Sequence, residues 1–120
     1  MEKKTDTKEK VKNAEQLAIQ IKSNKVVVIK ISASWCGPCK NKQFLEQYNN
    51  LKNTWALTQG VKFIELDVDL DNNILDDKSY YNIEIDSVPS FLISRNGSFT
   101  RKFSGTNYLD LIHKYISENI

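Results

Sequence analysis

Two cysteines separated by two residues are the part of this chain whose residue types and spacing could do chemistry. Cys36 and Cys39 are the only cysteines in the sequence, and both lie within the stretch Trp35-Cys36-Gly37-Pro38-Cys39-Lys40. Two thiols at this spacing can form a disulfide bond and release it again, so the pair is a candidate two-electron redox centre. The nucleophile in such an exchange is the thiolate, and its surroundings must therefore favour the ionised sulfur.

A buried strand and a helix are expected on the two sides of the cysteines. The β-branched run over residues 26–31 predicts a strand buried on both faces. Beyond the cysteines, an apolar stripe at helical spacing predicts a helix with Phe44, Tyr48, Leu51 and Trp55 on one face. Free N–H groups at the start of a helix favour a thiolate at Cys36, and Pro38 suits an early helical position. Cys39 is expected one turn further on and more deeply placed.

The remaining pattern predicts an alternation of helices and strands. Residues 1–10 are expected to be a flexible charged tail, with a short edge strand near Val11, and residues 11–120 a single domain. A first helix capped by Asn13 ends at residues 23–24, and a second strand covers residues 61–68. The predicted order is α-β-α-β-α-β-β-α, which favours parallel strand pairs and an antiparallel closing edge.

The second half of the chain contains a hairpin signal between two short helices. A short helix is predicted near residues 74–81, and Asn96-Gly97 predicts a two-residue turn between strands at 90–94 and 99–103. A last helix, capped by Asn107, is expected to direct four apolar or aromatic side chains inward: Tyr108, Leu111, Ile112 and Tyr115.

Charge and composition favour a cytoplasmic protein that binds neither nucleic acid nor a membrane. The chain of 120 residues has 17 basic and 15 acidic residues, a net charge of +2. Residues 1–12 are of mixed charge and lack the apolar region of a secretory signal. In a reducing compartment, a cysteine pair is more typical of redox chemistry or metal binding than of a structural disulfide.

Three alternatives to a redox centre, namely a structural disulfide, a zinc site and a calcium loop, are less well supported by the sequence. A structural disulfide does not suit the expected compartment, and a zinc site lacks ligands because His113 is the only histidine and no second cysteine pair exists. The acidic run that begins at Asp67 resembles the start of a calcium loop, but Asn72 and Lys78 stand where glycine and glutamate are needed. No metal and no bound cofactor are therefore expected.

The six residues around the cysteines, placed after a β-branched strand, resemble the active site of the thioredoxin family. The resemblance spans residues 11–120 and includes Val88-Pro89-Ser90, Asn96-Gly97 and Ser104-Gly105, which are similar to the family's cis-proline segment, hairpin turn and glycine loop. It implies the α/β thioredoxin fold, with a central mixed β-sheet of four to five strands flanked by four helices.

The same resemblance implies roles for individual residues. Cys36 is expected to attack a substrate disulfide and Cys39 to resolve the mixed disulfide. A cis peptide bond before Pro89 is expected to face the cysteines, and the backbone of Val88 to pair with a bound substrate strand, as in β-augmentation. The expected substrate-binding residues are Trp35, Gly37, Pro38, Val88, Pro89 and Gly105.

The chain departs from the family pattern at two charged positions. Thioredoxins usually carry a buried aspartate six residues before the first cysteine, where this chain has Lys30, and the family's frequent lysine partner aligns with Glu65. The pair is therefore predicted to be charge-swapped and catalytic, with Glu65 taking the proton of Cys39 and Lys30 stabilising a thiolate. The alternative is that Lys30 extends to the solvent and Glu65 is solvated.

These features predict a thiol–disulfide oxidoreductase that reduces protein disulfides through the Cys36/Cys39 couple. The resemblance implies disulfide-containing protein substrates, a separate reductase such as an NADPH-dependent thioredoxin reductase, and a monomer. A disulfide oxidase or isomerase, or a binding subunit with incidental thiols, are the alternatives. The segment from Asp69 to Asp86 is longer than is usual in the family, which indicates a surface insertion or a device for partner choice.

Overall fold

A four-stranded mixed sheet organises residues 10–120, the part of the chain that the computed structural model describes. The strands are β1 (Val26–Ser32), β2 (Val61–Asp67), β3 (Ser90–Arg95) and β4 (Ser98–Ser104). Their order is β2-β1-β3-β4, with β1 and β2 parallel and the other pairs antiparallel. The carboxyl ends of β1 and β2 therefore meet at one edge of the sheet, where the cysteine motif begins.

Four α-helices and one 3₁₀ turn complete the fold. The helices are α1 (Ala14–Ser23), α2 (Lys42–Trp55), α3 (Asn72–Leu75) and α4 (Leu109–Glu118), and the 3₁₀ turn covers Pro38–Lys40. The predicted element order and fold class are confirmed, with four strands among residues 10–120. The edge strand expected near Val11 is wrong, because residues 10–13 form neither helix nor strand. The predicted tail lies outside the described residues, except for Lys10.

The core has two halves, one on each face of the sheet. The half under α1 and α3 contains alternate residues of β1, such as Ile29 and Ile31, together with Leu17 and Ile21. The half under α2 and α4 contains Val26, Val28, Phe44, Tyr48, Phe91, Ile112 and Ile116. Because both faces are covered, β1 is buried along most of its length, as its β-branched run predicts. Among residues 10–120, no helix is long and apolar enough to cross a membrane.

The two later helices differ from their predicted positions. Helix α3 is a single turn that ends at Leu75, because the Asp77 carboxylate accepts the Ser79 N–H that a longer helix would direct to the Leu75 carbonyl oxygen. The Lys78 ammonium donates to the carbonyl oxygens of Leu75 and Ile83 instead. Helix α4 begins after Tyr108 without a side-chain cap from Asn107. Its buried residues are Leu109, Ile112 and Ile116, while Leu111 is half exposed.

The predicted inward face of α4 is correct for Ile112 and partly for Tyr115, which packs against the core, and it is wrong for Tyr108 and Leu111. Tyr108 stacks on Phe103 with ring centroids 5.3 Å apart, and the Tyr115 hydroxyl lies 2.7 Å from that of Thr100. Tyr108 therefore covers β4 at the edge of the sheet, and Tyr115 contacts β4 through its hydroxyl. The core is filled by Leu109, Ile112 and Ile116. The predicted hairpin turn is confirmed, with φ of 52° at Asn96 and 89° at Gly97.

The cap of α1 gives a test of the local stability of the fold. The Asn13 side chain accepts a hydrogen bond from the Gln16 N–H at 2.8 Å. Asn13→Ala leaves that N–H without its cap, so we expect the free energy of unfolding to fall by about 1 kcal/mol. Urea denaturation measures this loss, with Ser23→Ala at the other end of the helix as the control. Equal denaturation midpoints for Asn13→Ala and wild type would contradict the assignment.

Candidate active site

A disulfide bond joins Cys36 and Cys39 just beyond the end of β1. Both cysteines are buried, with 4% and 6% of their surface exposed, and they pack with Ala33, Val68 and Val88. The expected difference in depth between the two cysteines is therefore not observed, because the short ring holds both against the same apolar neighbours. Burial alone does not identify the attacking sulfur.

The contacts of the two sulfurs distinguish them. The Cys36 Sγ lies 3.6 Å from the carbonyl oxygen of Val88, and the Cys39 N–H donates to the same sulfur at 3.1 Å. In the disulfide neither sulfur carries a proton, so the contact with Val88 can become a hydrogen bond only in the reduced protein. An N–H directed at Cys36 favours its thiolate over its thiol, which is the property that a nucleophilic cysteine needs.

A 3₁₀ turn and an α-helix follow Cys36, and Asn41 separates the two. After the 3₁₀ turn at Pro38–Lys40, the backbone of Asn41 has φ −59° and ψ 126°, and its side chain accepts from the Phe44 N–H at 2.9 Å to cap α2. The expected position of Pro38 is confirmed. The long helix, however, begins after Cys39, so the positive end of its dipole does not lie at Cys36. The Cys39 N–H, and not the start of α2, therefore stabilises the Cys36 thiolate.

A cis peptide bond between Val88 and Pro89 forms the opposite wall of the site. The predicted cis geometry is thereby confirmed. The Gly105 N–H donates to the Pro89 carbonyl oxygen at 2.8 Å, and Gly105 has φ +109°, a conformation that favours glycine. The glycine loop after β4 is thus held against the proline segment, with the Val88 backbone beside Cys36.

Trp35 is the large apolar side chain most exposed beside the cysteines. It is 68% exposed, and its Nε1–H donates to a carboxylate oxygen of Asp69 at 2.9 Å. The carboxylate of Asp67 accepts from the backbone N–H groups of Asp69 and Leu70, which holds the acidic turn in place. No local pattern in the sequence predicts the contact of this turn with Trp35. The available signal was that β1 and β2 end at the same edge of the sheet.

Gly37 and Pro38 form the outer rim of the disulfide. Both residues are exposed, and a side-chain carbon added at Gly37 would have no atom within 4 Å. The space above the cysteines is therefore open at this point, as an approaching substrate chain requires.

Lys30 and Glu65 are brought together by the pairing of β1 and β2. They are register partners, and the Lys30 Nζ lies 4.0 Å from Glu65 Oε1. The Lys30 side chain is 8% exposed, so the outward-extending alternative is wrong for it, whereas Glu65 is 47% exposed. A closer partner of Glu65 is Lys52, whose Nζ lies 2.9 Å from Oε2. The charge-swapped pair exists, but Glu65 is shared between two lysines.

Aromatic rings surround the buried ammonium of Lys30. Its Nζ lies 4.4 Å from the centre of the Tyr48 ring and 6.0 Å from that of Phe44, within the range of cation–π contact. Burial lowers the pKa of Lys30, Glu65 partly opposes this effect, and the charge of Lys52 adds to the lowering. Among residues 10–120, no hydrogen bond or ion pair joins Lys30 to either cysteine.

The described residues contain no metal-binding cluster. Within residues 10–120, no group of three or more His, Cys, Asp or Glu side chains is placed to hold a metal ion. His113 instead accepts a hydrogen bond from the Trp55 Nε1–H at 3.2 Å, between α4 and α2. The group seen at this site is the cysteine pair in its disulfide form.

Similarity to known proteins agrees with this geometry. The family model described as Thioredoxin matches residues 7–118. Thioredoxin from Homo sapiens is 34% identical over 101 residues, covering 80% of this chain and 82% of that protein. Putative thioredoxin-5 from Dictyostelium discoideum is 29% identical over 100 residues, covering 83% of this chain and 88% of that protein.

Solved structures extend the likeness to the fold. Mitochondrial thioredoxin 3 from Saccharomyces cerevisiae, in its oxidised form, superposes with a TM-score of 0.72 at 28% identity, covering 91% of this chain and 92% of that one. Thioredoxin from Plasmodium falciparum superposes with a TM-score of 0.70 at 25% identity, covering 93% and 99%. With its disulfide-bonded cysteine pair and cis-proline wall, the chain belongs to the thioredoxin family of thiol–disulfide oxidoreductases.

Proposed function

We propose that this oxidoreductase works as a protein-disulfide reductase. The observation that carries the proposal is the Cys36 sulfur, which receives the Cys39 N–H at 3.1 Å and lies 3.6 Å from the Val88 carbonyl oxygen. The Cys39 N–H favours the Cys36 thiolate over its thiol. The Val88 backbone beside it has no backbone hydrogen bond within residues 10–120, so a substrate strand can pair there. Gly37 and Pro38 between the cysteines favour a reductant over an oxidase or isomerase.

The reaction transfers two electrons from the dithiol to the substrate. The Cys36 thiolate attacks one sulfur of the substrate disulfide, which forms a mixed disulfide and releases the other substrate sulfur as a thiolate. The Cys39 thiolate then attacks the Cys36 sulfur, the Cys36–Cys39 bond forms, and the second substrate sulfur leaves. Solvent protons complete the two substrate thiols, and the substrate gains the two electrons that the cysteines lose.

Recognition of the substrate is assigned to the rim and walls of the site. Trp35 gives a flat apolar contact, Gly37 and Pro38 leave the sulfur accessible, and the backbone of Val88 pairs with the substrate strand. Pro89 and Gly105, joined by their 2.8 Å hydrogen bond, support that strand from behind. Recognition through the backbone is tolerant of substrate sequence, which suits a general reductase.

Lys30 and Glu65 are proposed to manage charge and protons behind the cysteines. The buried ammonium of Lys30 stabilises negative charge on the sulfurs, and half-exposed Glu65 exchanges a proton with Cys39 through water. Their register pairing on β1 and β2 supports this assignment, since both side chains lie on the α2 face of the sheet.

The cellular setting is proposed from composition and from the family. Thioredoxins act on disulfide-containing proteins and are returned to the dithiol by a separate reductase, for which an NADPH-dependent thioredoxin reductase is the candidate here. We place the chain in the cytoplasm as a monomer in electron transport, with residues 11–120 as one domain. The near balance of charge supports a protein with neither nucleic acid nor membrane as its partner.

The reduction potential of the Cys36/Cys39 couple tests the direction of the reaction. We expect a value near −270 mV, which is the value typical of thioredoxin. Equilibration with glutathione buffers, followed by trapping of free thiols and mass measurement, gives the potential. A value between about −180 and −120 mV would assign the chain to the oxidases or isomerases instead.

A further inference from the structure

A groove runs beside the disulfide, between Trp35 and the segment from Leu75 to Val88. Its volume is about 560 Å³. One wall ends at Val88, whose carbonyl oxygen lies 3.6 Å from the Cys36 sulfur. The groove is therefore continuous with the reactive centre, and a chain that pairs with the Val88 backbone would place its neighbouring side chains there.

The interior of the groove is apolar. Its apolar lining residues are Trp35, Val68, Leu75, Ile83, Ile85 and Val88. Leu75 and Ile83 are each only 7% exposed and form its fixed base, while Trp35 is 68% exposed at its edge. The volume lies within the range of pockets that enclose a small ligand, so one large apolar side chain of a substrate fits.

The rim of the groove is acidic, although the chain as a whole has a net charge of +2. Three acidic residues line it, namely Asp76, Glu84 and Asp86, with Lys78 as the one basic residue among its described lining. The Lys78 ammonium donates to the carbonyl oxygens of Leu75 and Ile83, so it is directed into the segment's own backbone. Within residues 10–120 it forms no ion pair with a rim carboxylate.

Two of the rim carboxylates have no partner in the described part of the chain. Lys102 lies 3.6 Å from Asp86 and donates to the backbone oxygen of Glu84. Neither the Asp76 nor the Glu84 carboxylate forms an ion pair or a side-chain hydrogen bond within residues 10–120. An apolar groove edged by unpaired negative charge is complementary to an apolar residue flanked by cations.

We infer that this groove selects protein disulfides whose cysteine is followed or preceded, within a few residues, by a large apolar residue and by lysine or arginine. The inference rests on the proposed reductase function and names its preferred substrate class. The unpaired carboxylates attract such a segment during encounter and hold it once bound, whereas an acidic segment is repelled. The segment 75–88 thereby gives the site a charge preference beyond general backbone recognition.

Paired peptide substrates test the preference. Two disulfide-linked peptide dimers, identical except that two lysines in one replace two glutamates in the other, are reduced by the dithiol protein in a stopped-flow experiment. Each rate is divided by the rate with dithiothreitol, which corrects for the intrinsic reactivity of the disulfide. At low ionic strength we expect the lysine peptide to react about fivefold faster. The ratio should fall toward one in high salt.

A charge-matched pair of double variants locates the effect. Asp76→Asn with Glu84→Gln should at least halve the ratio, whereas Glu46→Gln with Glu118→Gln, on exposed positions of α2 and α4, should leave it unchanged. An unaltered ratio in the groove variant, or an equal fall in both variants, overturns the inference. Reduction of both peptides at one common rate overturns the inference but leaves the reductase function standing.

A binding measurement keeps the two proposals separate. If neither peptide is reduced, the reductase function fails, and the groove is then judged on the variant with both Cys36→Ser and Cys39→Ser. Its tryptophan fluorescence is titrated with the reduced form of each peptide. Tighter binding of the lysine peptide supports the groove, and equal affinity for both peptides overturns it.

Discussion

Replacing Cys36 with serine is expected to lower the rate of insulin reduction by about a thousandfold or more, to the level of the reductant in the assay alone. A serine hydroxyl is not ionised near neutral pH and cannot exchange with a disulfide, so the first bond never forms. The variant should fold normally, because serine is close to cysteine in size. Turbidity of precipitating insulin chains measures the loss, with Ser34→Ala in the preceding turn as the control.

Cys39→Ser should fail at a later step, and the difference between the two variants assigns the order of attack. Its Cys36 thiolate can still form the mixed disulfide, which then persists because no second thiol resolves it. We expect a covalent adduct whose added mass equals that of the substrate half that stays attached to Cys36. Dithiothreitol should release it. An adduct on Cys36→Ser, or insulin reduction at the wild-type rate by either variant, would contradict the assigned roles.

The elements with one dominant local signal were predictable from the sequence. The β-branched run of β1, the stripe on α2 and the Asn96-Gly97 turn each satisfy a single periodic or conformational rule, and each lies where predicted. The predicted helix near residues 74–81 was wrong beyond Leu75, because the Asp77 carboxylate accepts the Ser79 N–H that a longer helix would have directed to the Leu75 carbonyl oxygen. Such a contact is formed by one side chain and leaves no period in the sequence.

The parts of the site that a short sequence motif forms were predictable, whereas the parts that depend on tertiary contacts were not. The cysteine pair and the cis bond before Pro89 were both expected from residues that stand in short, specific motifs. The contact of Trp35 with Asp69 and the shared pairing of Glu65 depend on how β1 and β2 align. Neither the register of a parallel pair nor the choice between two lysines can be read from local spacing.

Lys30→Met is expected to slow the reaction of Cys36 at neutral pH while leaving the fold intact. Methionine keeps an unbranched side chain against the rings of Phe44 and Tyr48 and removes only the charge. If the ammonium stabilises the thiolate, its loss raises the pKa of the Cys36 thiol and lowers the thiolate fraction below that pKa. We expect alkylation of the reduced protein by iodoacetamide to be about threefold to tenfold slower at pH 7.

The pH dependence separates an electrostatic role from a structural one. Above the thiol pKa of both proteins the thiolate is fully formed, so the alkylation rates should converge as pH rises. Lys52→Met is the matched control, because it removes an equal charge from the other partner of Glu65, on a less buried side chain. A Lys30→Met profile that coincides with wild type, or a loss of rate that persists at high pH, would contradict the charge role.

Stability gives an independent readout of the same buried charge. Burial lowers the pKa of Lys30 from its usual 10.5, so in the window between the lowered value and 10.5 the unfolded chain binds a proton that the folded protein lacks. Wild-type stability should therefore rise with pH through that window, and this contribution to the slope should be absent in Lys30→Met. Below the window, the variant avoids burying an ammonium and should be as stable as wild type or about 1 kcal/mol more stable. A lysine that lowers stability yet raises the thiolate fraction of Cys36 at neutral pH would be kept at this position for its chemistry.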